Sequence, residues 1–306
     1  MEYLWLLLGF VLLIKGADVF VDGSSSIAKL MKIPQFIIGL TIVSFGTSAP
    51  EAAVSISASI TGNNEISIGN VIGSNFFNLL MVVGVCSIIS PMLVDKNIKK
   101  FDFPFSILIA AVTLVMCLDK ELSRLDGIIL LVIFAFYLFK TIRTALKNKT
   151  EEEEGKKLSP LLSIIFIVAG LAAVVIGGDL VVDNAVIIAG KLGMSKTLIG
   201  LTVIALGTSL PELVTSIVAA RKGEKGLALG NVVGSNIFNI LFVLAMSVTI
   251  SPIPILTASI IDTAVLIAVS IVMLLMIVKD DKYSRLNGII AVLMYAVYTA
   301  YIIYRN

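Results

Sequence analysis

The chain repeats itself. The thirteen residues from Gly39 to Glu51, GLTIVSFGTSAPE, return from Gly200 to Glu212 as GLTVIALGTSLPE, with 8 of the 13 positions identical. The ten residues from Gly69 to Asn78, GNVIGSNFFN, return from Gly230 to Asn239 as GNVVGSNIFN, with 8 of the 10 identical. Ser90-Pro91 matches Ser251-Pro252, and the SRLDG run at 123–127 matches SRLNG at 284–288. All four blocks stand at one offset, 161 residues. A single register held through four blocks marks a duplication, so whatever unit the first half builds, the second half builds again.

The composition says where that unit lives. Of 306 residues, 58% are hydrophobic and 14% charged, against about 25% charged in a soluble domain, and mean hydropathy is +1.04. The charges separate apolar runs long enough to cross a bilayer core of about 30 Å. Ten runs are legible, near 3–30, 34–60, 66–89, 103–118 and 124–144, then 160–190, 196–220, 227–250, 260–278 and 286–304. The expected fold is an all-α membrane protein with ten transmembrane helices, arranged as two five-helix repeats. The first occupies 1–145, a linker 146–159, and the second 160–306. Five is odd, so the second copy enters the membrane from the opposite side and the repeats are inverted.

Loop charge tests that deduction independently. With the N-terminus outside, 17 of the 23 basic residues fall in cytoplasmic loops and five outside, with Lys15 inside the first run. That is the positive-inside bias. The expectation is a multi-pass protein of the cell membrane, both termini extracellular and the linker cytoplasmic. The start, Met1-Glu2, lacks a basic region or a small-residue cleavage site and reads as a retained first helix.

Two carboxylates sit where carboxylates are expensive. Glu51 and Glu212 lie inside apolar runs whose interiors contain no lysine or arginine to pair with them, Lys196 standing at the edge of the second, and each costs about 2.5–3.5 kcal/mol at mid-membrane. Protonation or a bound cation offsets such a cost. Each glutamate follows a proline, Pro50 or Pro211, which lacks an N–H and clashes with the carbonyl four residues earlier, at Gly46 or Gly207. The stretches from Gly46 to Pro50 and from Gly207 to Pro211 should therefore break their helices. Matched broken helices in two halves point to a transporter's substrate site. Ser74 and Asn78 share a helical face, as do Ser235 and Asn239, and add further oxygens. Asn70/Asn231 and Asn75/Asn236 serve equally well as ligands or as links between helices. The glycines Gly69, Gly73, Gly230 and Gly234 suit close helix packing. Asp18/Asp22 and Asp179/Asp183 are repeat-matched near span ends. Hydration or pairing of the first two with Lys15 is the expectation, an ion vestibule the alternative.

The donor set excludes several chemistries. Histidine is absent, and the two cysteines, Cys86 and Cys117, sit in or beside apolar runs as plain buried side chains. Zinc chemistry and Ser–His or Cys–His catalysis are thus missing, and an enzyme is not expected. A net charge of +2 gives no sign of a nucleic-acid partner. No cofactor and no obligate protein partner is evident, the surrounding lipid bilayer aside. Carboxylate, hydroxyl, amide and carbonyl oxygens suit hard cations such as Ca2+, Na+, Mg2+ or Mn2+.

At the two GTSxPE and GNVxGSNxFN blocks, the chain resembles the cation/calcium antiporter superfamily, specifically its sodium/calcium exchanger branch. The resemblance covers nearly the whole chain and implies exchange of Ca2+ for Na+ by alternating access. It implies that Glu51 and Glu212 ligate both ions, assisted by Thr47, Thr208, Ser74 and Ser235, with backbone oxygens near Ser44 and Ala205 at outer sodium positions. Asn78 and Asn239 complete the candidate set. Asparagine at both positions argues against dependence on potassium, since some family members carry an acid where Asn239 stands. A Ca2+/H+ or other divalent-cation/H+ antiporter is the runner-up, because glutamates also carry protons, and a cation channel is the reading outside the antiporter class.

The segment 147–157, KNKTEEEEGKK, is too charged to form a core. Shortening it while keeping enough reach to join the halves is expected to leave ion flux and insertion unchanged, as measured in reconstituted vesicles.

Overall fold

The structure, a computed structural model, describes residues 1–147, 157–194 and 205–305. It is built of helices apart from four two-residue strands. In chain order the helices are α1 Glu2–Met31, α2 Gln35–Thr47, α3 Ala49–Ile60, α4 Asn64–Ile89, α5 Ile98–Asp119 and α6 Arg124–Lys147. Then come α7 Pro160–Lys191, α8 Ala205–Gly207, α9 Leu210–Arg221, α10 Lys225–Ile250, α11 Thr257–Met276 and α12 Arg285–Arg305. Eight of these are long and apolar enough to cross a membrane, and α2 with α3 makes a ninth candidate span, bent by 48°. The expected span at 196–220 begins outside the described residues, and its described part is α8 and α9. Most of the linker 146–159 also lies outside them. The chain is a multi-pass membrane protein.

The central helices are α4 and α10, repeat mates buried on most sides, whereas the other long helices turn apolar side chains such as Leu7, Phe136, Val168 and Leu293 outward. An aqueous surface would not carry such faces, but lipid does.

α1 and α7 are also repeat mates and pack along their length through glycines one heptad apart. A Cβ on Gly16 would lie 2.9 Å from the Gly170 carbonyl oxygen, and one on Gly170 would lie 2.9 Å from that of Gly16. Gly9 and Gly177 oppose each other in the same reciprocal way.

The short strands show a second reciprocity. β1 (Met92–Leu93) pairs with β4 (Lys282–Tyr283), and β2 (Glu121–Leu122) pairs with β3 (Ile253–Pro254), both antiparallel. At the 161-residue offset β1 corresponds to β3 and β2 to β4, so each strand joins the opposite half's other strand. An ion pair between Lys99 and Asp281 reinforces the first ladder. Its hydrogen bond holds the half-exposed Asp281 carboxyl below the usual carboxylate range.

One expectation is corrected. Asp18 and Asp22 do not pair with Lys15. Their partner is Lys222, 2.7 Å and 2.6 Å away, just beyond the C-terminal end of α9. A helix face places residues four apart together, but only the tertiary fold brings position 222 to that face.

The glycine seam gives a stability test. A Cβ on Gly170 would lie 2.5 Å from the Phe20 backbone nitrogen, a contact no side-chain rotation relieves. Gly170→Val is expected to cost about 1–3 kcal/mol and lower the melting temperature in detergent. Gly190→Ala, on the same helix with no neighbour within 4 Å, should raise it slightly, because alanine favours helix by up to about 1 kcal/mol.

Candidate ion-binding site

The helix breaks fall where the prolines require them. Ser48 (φ −84°, ψ 10°) interrupts the first span and Ser209 (φ −93°, ψ 8°) the second, with Pro50 and Pro211 in the first turn of α3 and α9. Proline is tolerated there because its missing N–H would be unsatisfied anyway. Glu51 and Glu212 follow in the same first turns, next to the positive ends of their half-helices, which favour a carboxylate.

Both glutamates are fully buried, and among the described residues neither has an ion-pair partner. What holds them is a hydroxyl from the opposite half. Ser48 donates to Glu212 Oε1 at 2.7 Å, and Ser209 donates to Glu51 Oε1 at 2.8 Å. These two bonds are repeat mates of one another. Ser74 adds a longer contact, 3.4 Å, to the same Glu51 oxygen and stands 3.1 Å from Ser209.

Other oxygens at the candidate positions are left over. Glu51 Oε2, Glu212 Oε2, Asn78 Oδ1, Asn239 Oδ1, Ser235 Oγ and Thr208 Oγ1 are buried without a hydrogen-bond partner. An unpaired buried polar group is costly, and here most belong to carboxylate, amide and hydroxyl groups of the two repeated blocks. No described group of three or more His, Cys, Asp or Glu competes as a metal site. A cation would therefore be held by two carboxylates and neutral oxygens, a set suited to Ca2+ or Na+.

Not every candidate is free in this way. Thr47 donates to Asn231 Oδ1 at 3.1 Å and approaches its own helix's Ser44 carbonyl at 3.4 Å, linking α2 to α10. Ser44 is buried and donates to the Thr41 carbonyl at 3.2 Å. Ala205 opens the short α8. Asn70 and Asn231 hold the break from behind: Asn70 donates to Ser55 at 2.9 Å and to the Glu51 carbonyl at 3.2 Å, and Asn231 to Ser216 at 3.0 Å. Asn75 and Asn236 donate to each other's backbone carbonyls at 3.3 Å and 3.4 Å, joining the two central helices.

Two features escape sequence reasoning. Ser48 and Ser209 stand beside Thr47 and Thr208 in the same motif, and nothing in the spacing separates the residue facing the carboxylate from its neighbour. The π turns at Phe77–Val82 and Asn239–Leu244 contain Asn78 and Asn239. Such turns recur at functional sites, but no residue type announces them.

A model of the family described as "Sodium/calcium exchanger protein" matches residues 1–143 and again 162–304. The putative antiporter CaxA of Alkalimonas amylolytica is 40% identical, over 94% of this chain and 92% of its own. The sodium/calcium exchanger MaX1 of Methanosarcina acetivorans is 34% identical, over 99% of both. Among solved structures, the sodium-calcium exchanger NCX_Mj soaked with zero Na+ and Ca2+ matches at a TM-score of 0.86, with 36% identity over 98% of each chain.

The crossed serine bonds predict paired effects. Ser48→Ala and Ser209→Ala each remove a hydrogen bond to a carboxylate, a contribution of about 1.5–3 kcal/mol. Each is expected to lower the cation-free melting temperature, and by similar amounts, because the two bonds are repeat mates of nearly equal length. A double variant that melts like either single one would show that the bonds act as one unit.

Proposed function

The chain belongs to the sodium/calcium exchanger protein family, and on that premise we propose that it is a secondary antiporter exchanging Ca2+ for Na+ by alternating access. Glu51 and Glu212 supply the charge, two carboxylates for one divalent ion. Ser74, Ser235, Thr208, Asn78 and Asn239 supply neutral oxygens. Thr47 adds a further neutral oxygen, and the backbone oxygens near Ser44 and Ala205 complete the outer sodium positions. The architecture that goes with this function is ten helices in two inverted five-helix repeats, 1–145 and 160–306. Both termini are external, and the linker 146–159 is cytoplasmic.

The observation that carries the proposal is the crossed pair of bonds, Ser48 to Glu212 and Ser209 to Glu51. It sets both carboxylates at the seam between the halves, each with its second oxygen unpartnered. Sodium as the counter-ion is supported by kinship to the Methanosarcina sodium/calcium exchanger. The same two carboxylates can also carry protons, so Ca2+/H+ exchange is the reading to test against it. In vesicles at clamped pH, an outward Na+ gradient is expected to drive uptake of radiolabelled Ca2+. Uptake that follows a pH gradient and ignores Na+ would assign the proton instead.

Glu51→Gln and Glu212→Gln are expected each to abolish or severely weaken Ca2+ exchange while leaving the protein folded. Glutamine keeps the size and one carbonyl oxygen but removes one of the two charges. At an effective dielectric near 20, a unit-charge pair about 4 Å apart is worth roughly 4 kcal/mol. Half of that loss weakens binding about thirty-fold. Calorimetric Ca2+ binding, Na+-driven flux and thermal melting together read the outcome, and single variants that bind and exchange like the parent would refute the site.

A further inference from the structure

The two ends of the bundle differ in sequence as well as in shape. Lys222, in the turn between α9 and α10, reaches Asp18 Oδ1 at 2.7 Å, Asp22 Oδ1 at 2.6 Å and the Asp18 carbonyl at 3.0 Å. Partial burial pulls its ammonium down, but the two aspartates outweigh this and hold it above the usual lysine range. In the same turn Glu224 accepts from Ser25 at 2.6 Å and stands 3.4 Å from Lys29. Positions 18, 22, 25 and 29 follow one face of α1, so four side chains fasten that helix to one turn.

At the 161-residue offset the fastening is missing. Asp179 and Asp183 keep the acids on α7, but Ser25 and Lys29 become Val186 and Gly190, Lys222 becomes Thr61, and Glu224 becomes Asn63. A cavity of about 430 Å3 lies there instead, lined by Pro50 and Val54 of α3, Asp179 and Asp183 of α7, and Thr208 and Pro211. The fastened end is shut. A Cβ on Gly230 would collide with the Phe36 carbonyl oxygen, so α2 and α10 meet backbone to backbone.

We propose that Lys222 and Glu224, gripping Asp18, Asp22, Ser25 and Lys29, form a latch that keeps this end of the bundle closed while the Asp179 end stands open, and that the latch releases once in each exchange cycle. The release rests on the exchange reading above, whereas the closing effect does not. Partly exposed ion pairs suit the task, since each shifts an equilibrium by up to about five-fold. That is enough to bias a resting state and too little to freeze it.

The test uses a thiol pair across the closed end. A Cβ on Gly226 would lie 3.8 Å from Gln35 Cβ, within the roughly 3.5–4.5 Å a disulfide spans, and both native cysteines are buried. In the full chain carrying Gln35→Cys and Gly226→Cys, both positions half-buried, a soluble maleimide labels the reduced pair slowly while this end is closed and faster the more often it opens. Lys222→Thr and Asp22→Asn are each expected to speed labelling at least three-fold, and Lys222→Arg to keep it slow. Labelling of both weakened variants at the parent's rate, with the parent's melting temperature, would overturn the latch. In vesicles, oxidising the pair is expected to stop Ca2+ exchange and reduction to restore it, and exchange that persists in the oxidised protein would overturn the release step. If the parent shows no Na+-driven flux, the exchange reading fails, while the labelling rates still decide whether Lys222 closes this end.

Discussion

Two carboxylates are buried in this bundle with no cationic side chain of the described residues paired with them, and the remaining architecture follows from what holds them. Insertion of each costs about 2.5–3.5 kcal/mol. A hydroxyl donated to a carboxylate returns about 1.5–3 kcal/mol, and the first turn of a helix returns a further 0.3–1 kcal/mol or so. The sums roughly match, and each contribution makes a structural demand. The helix N-terminus requires a broken span, which Pro50 and Pro211 enforce. The hydroxyl requires the opposite half, because Ser209 serves Glu51 and Ser48 serves Glu212. The own-half alternative is weaker, since Ser74 reaches Glu51 only at 3.4 Å.

That dependence gives the duplication a physical sense. Contacts between the halves come in reciprocal pairs: Gly16 with Gly170 and Gly9 with Gly177, Asn75 with Asn236, β1 with β4 and β2 with β3. The reciprocity lapses at particular residues. Asn239 donates to Asn75 Oδ1 at 3.1 Å, but the mate bond from Asn78 to Asn236 is unmade and both groups are left unpartnered. Lys222 holds two aspartates where Thr61 holds none. A symmetric sequence would leave the two ends equivalent, and these positions make them different.

Much of this is legible in the amino-acid sequence. The register of 161 residues, the apolar runs and the prolines beside Glu51 and Glu212 give the class, the breaks and the carboxylates, because each depends on local chemistry or on self-comparison. What the sequence hides depends on long-range geometry. Ser48 and Thr47 are adjacent hydroxyls in one motif, and only the angle of the break turns one toward Glu212 and the other toward Asn231. The strands are two residues long, too short for any alternation to register. Asp18 and Asp22 invite pairing with Lys15 because it is near in sequence, whereas their partner lies 200 residues away. The segment 196–204, which the runs assign to a span, falls outside the described residues.

The contacts that hold the bundle divide by strength, and the division matches what an exchanger must keep and what it must change. α1 meets α7 through glycines whose backbones touch, flanked by buried Leu13, Ala17 and Val174, a close-packed seam that leaves little room for one helix to move against the other. The same α1 meets the α9–α10 turn through ion pairs on partly exposed side chains, which water can replace at small cost. Between these lies the seam of Glu51 and Glu212, where several oxygens have no partner. A cation bound there, as proposed, would satisfy those oxygens and tie the halves together, and its departure would leave them costly again. On the proposed function, rearrangement would be easiest at the weak contacts and coupled to occupancy at the seam, which is the relation that alternating access requires.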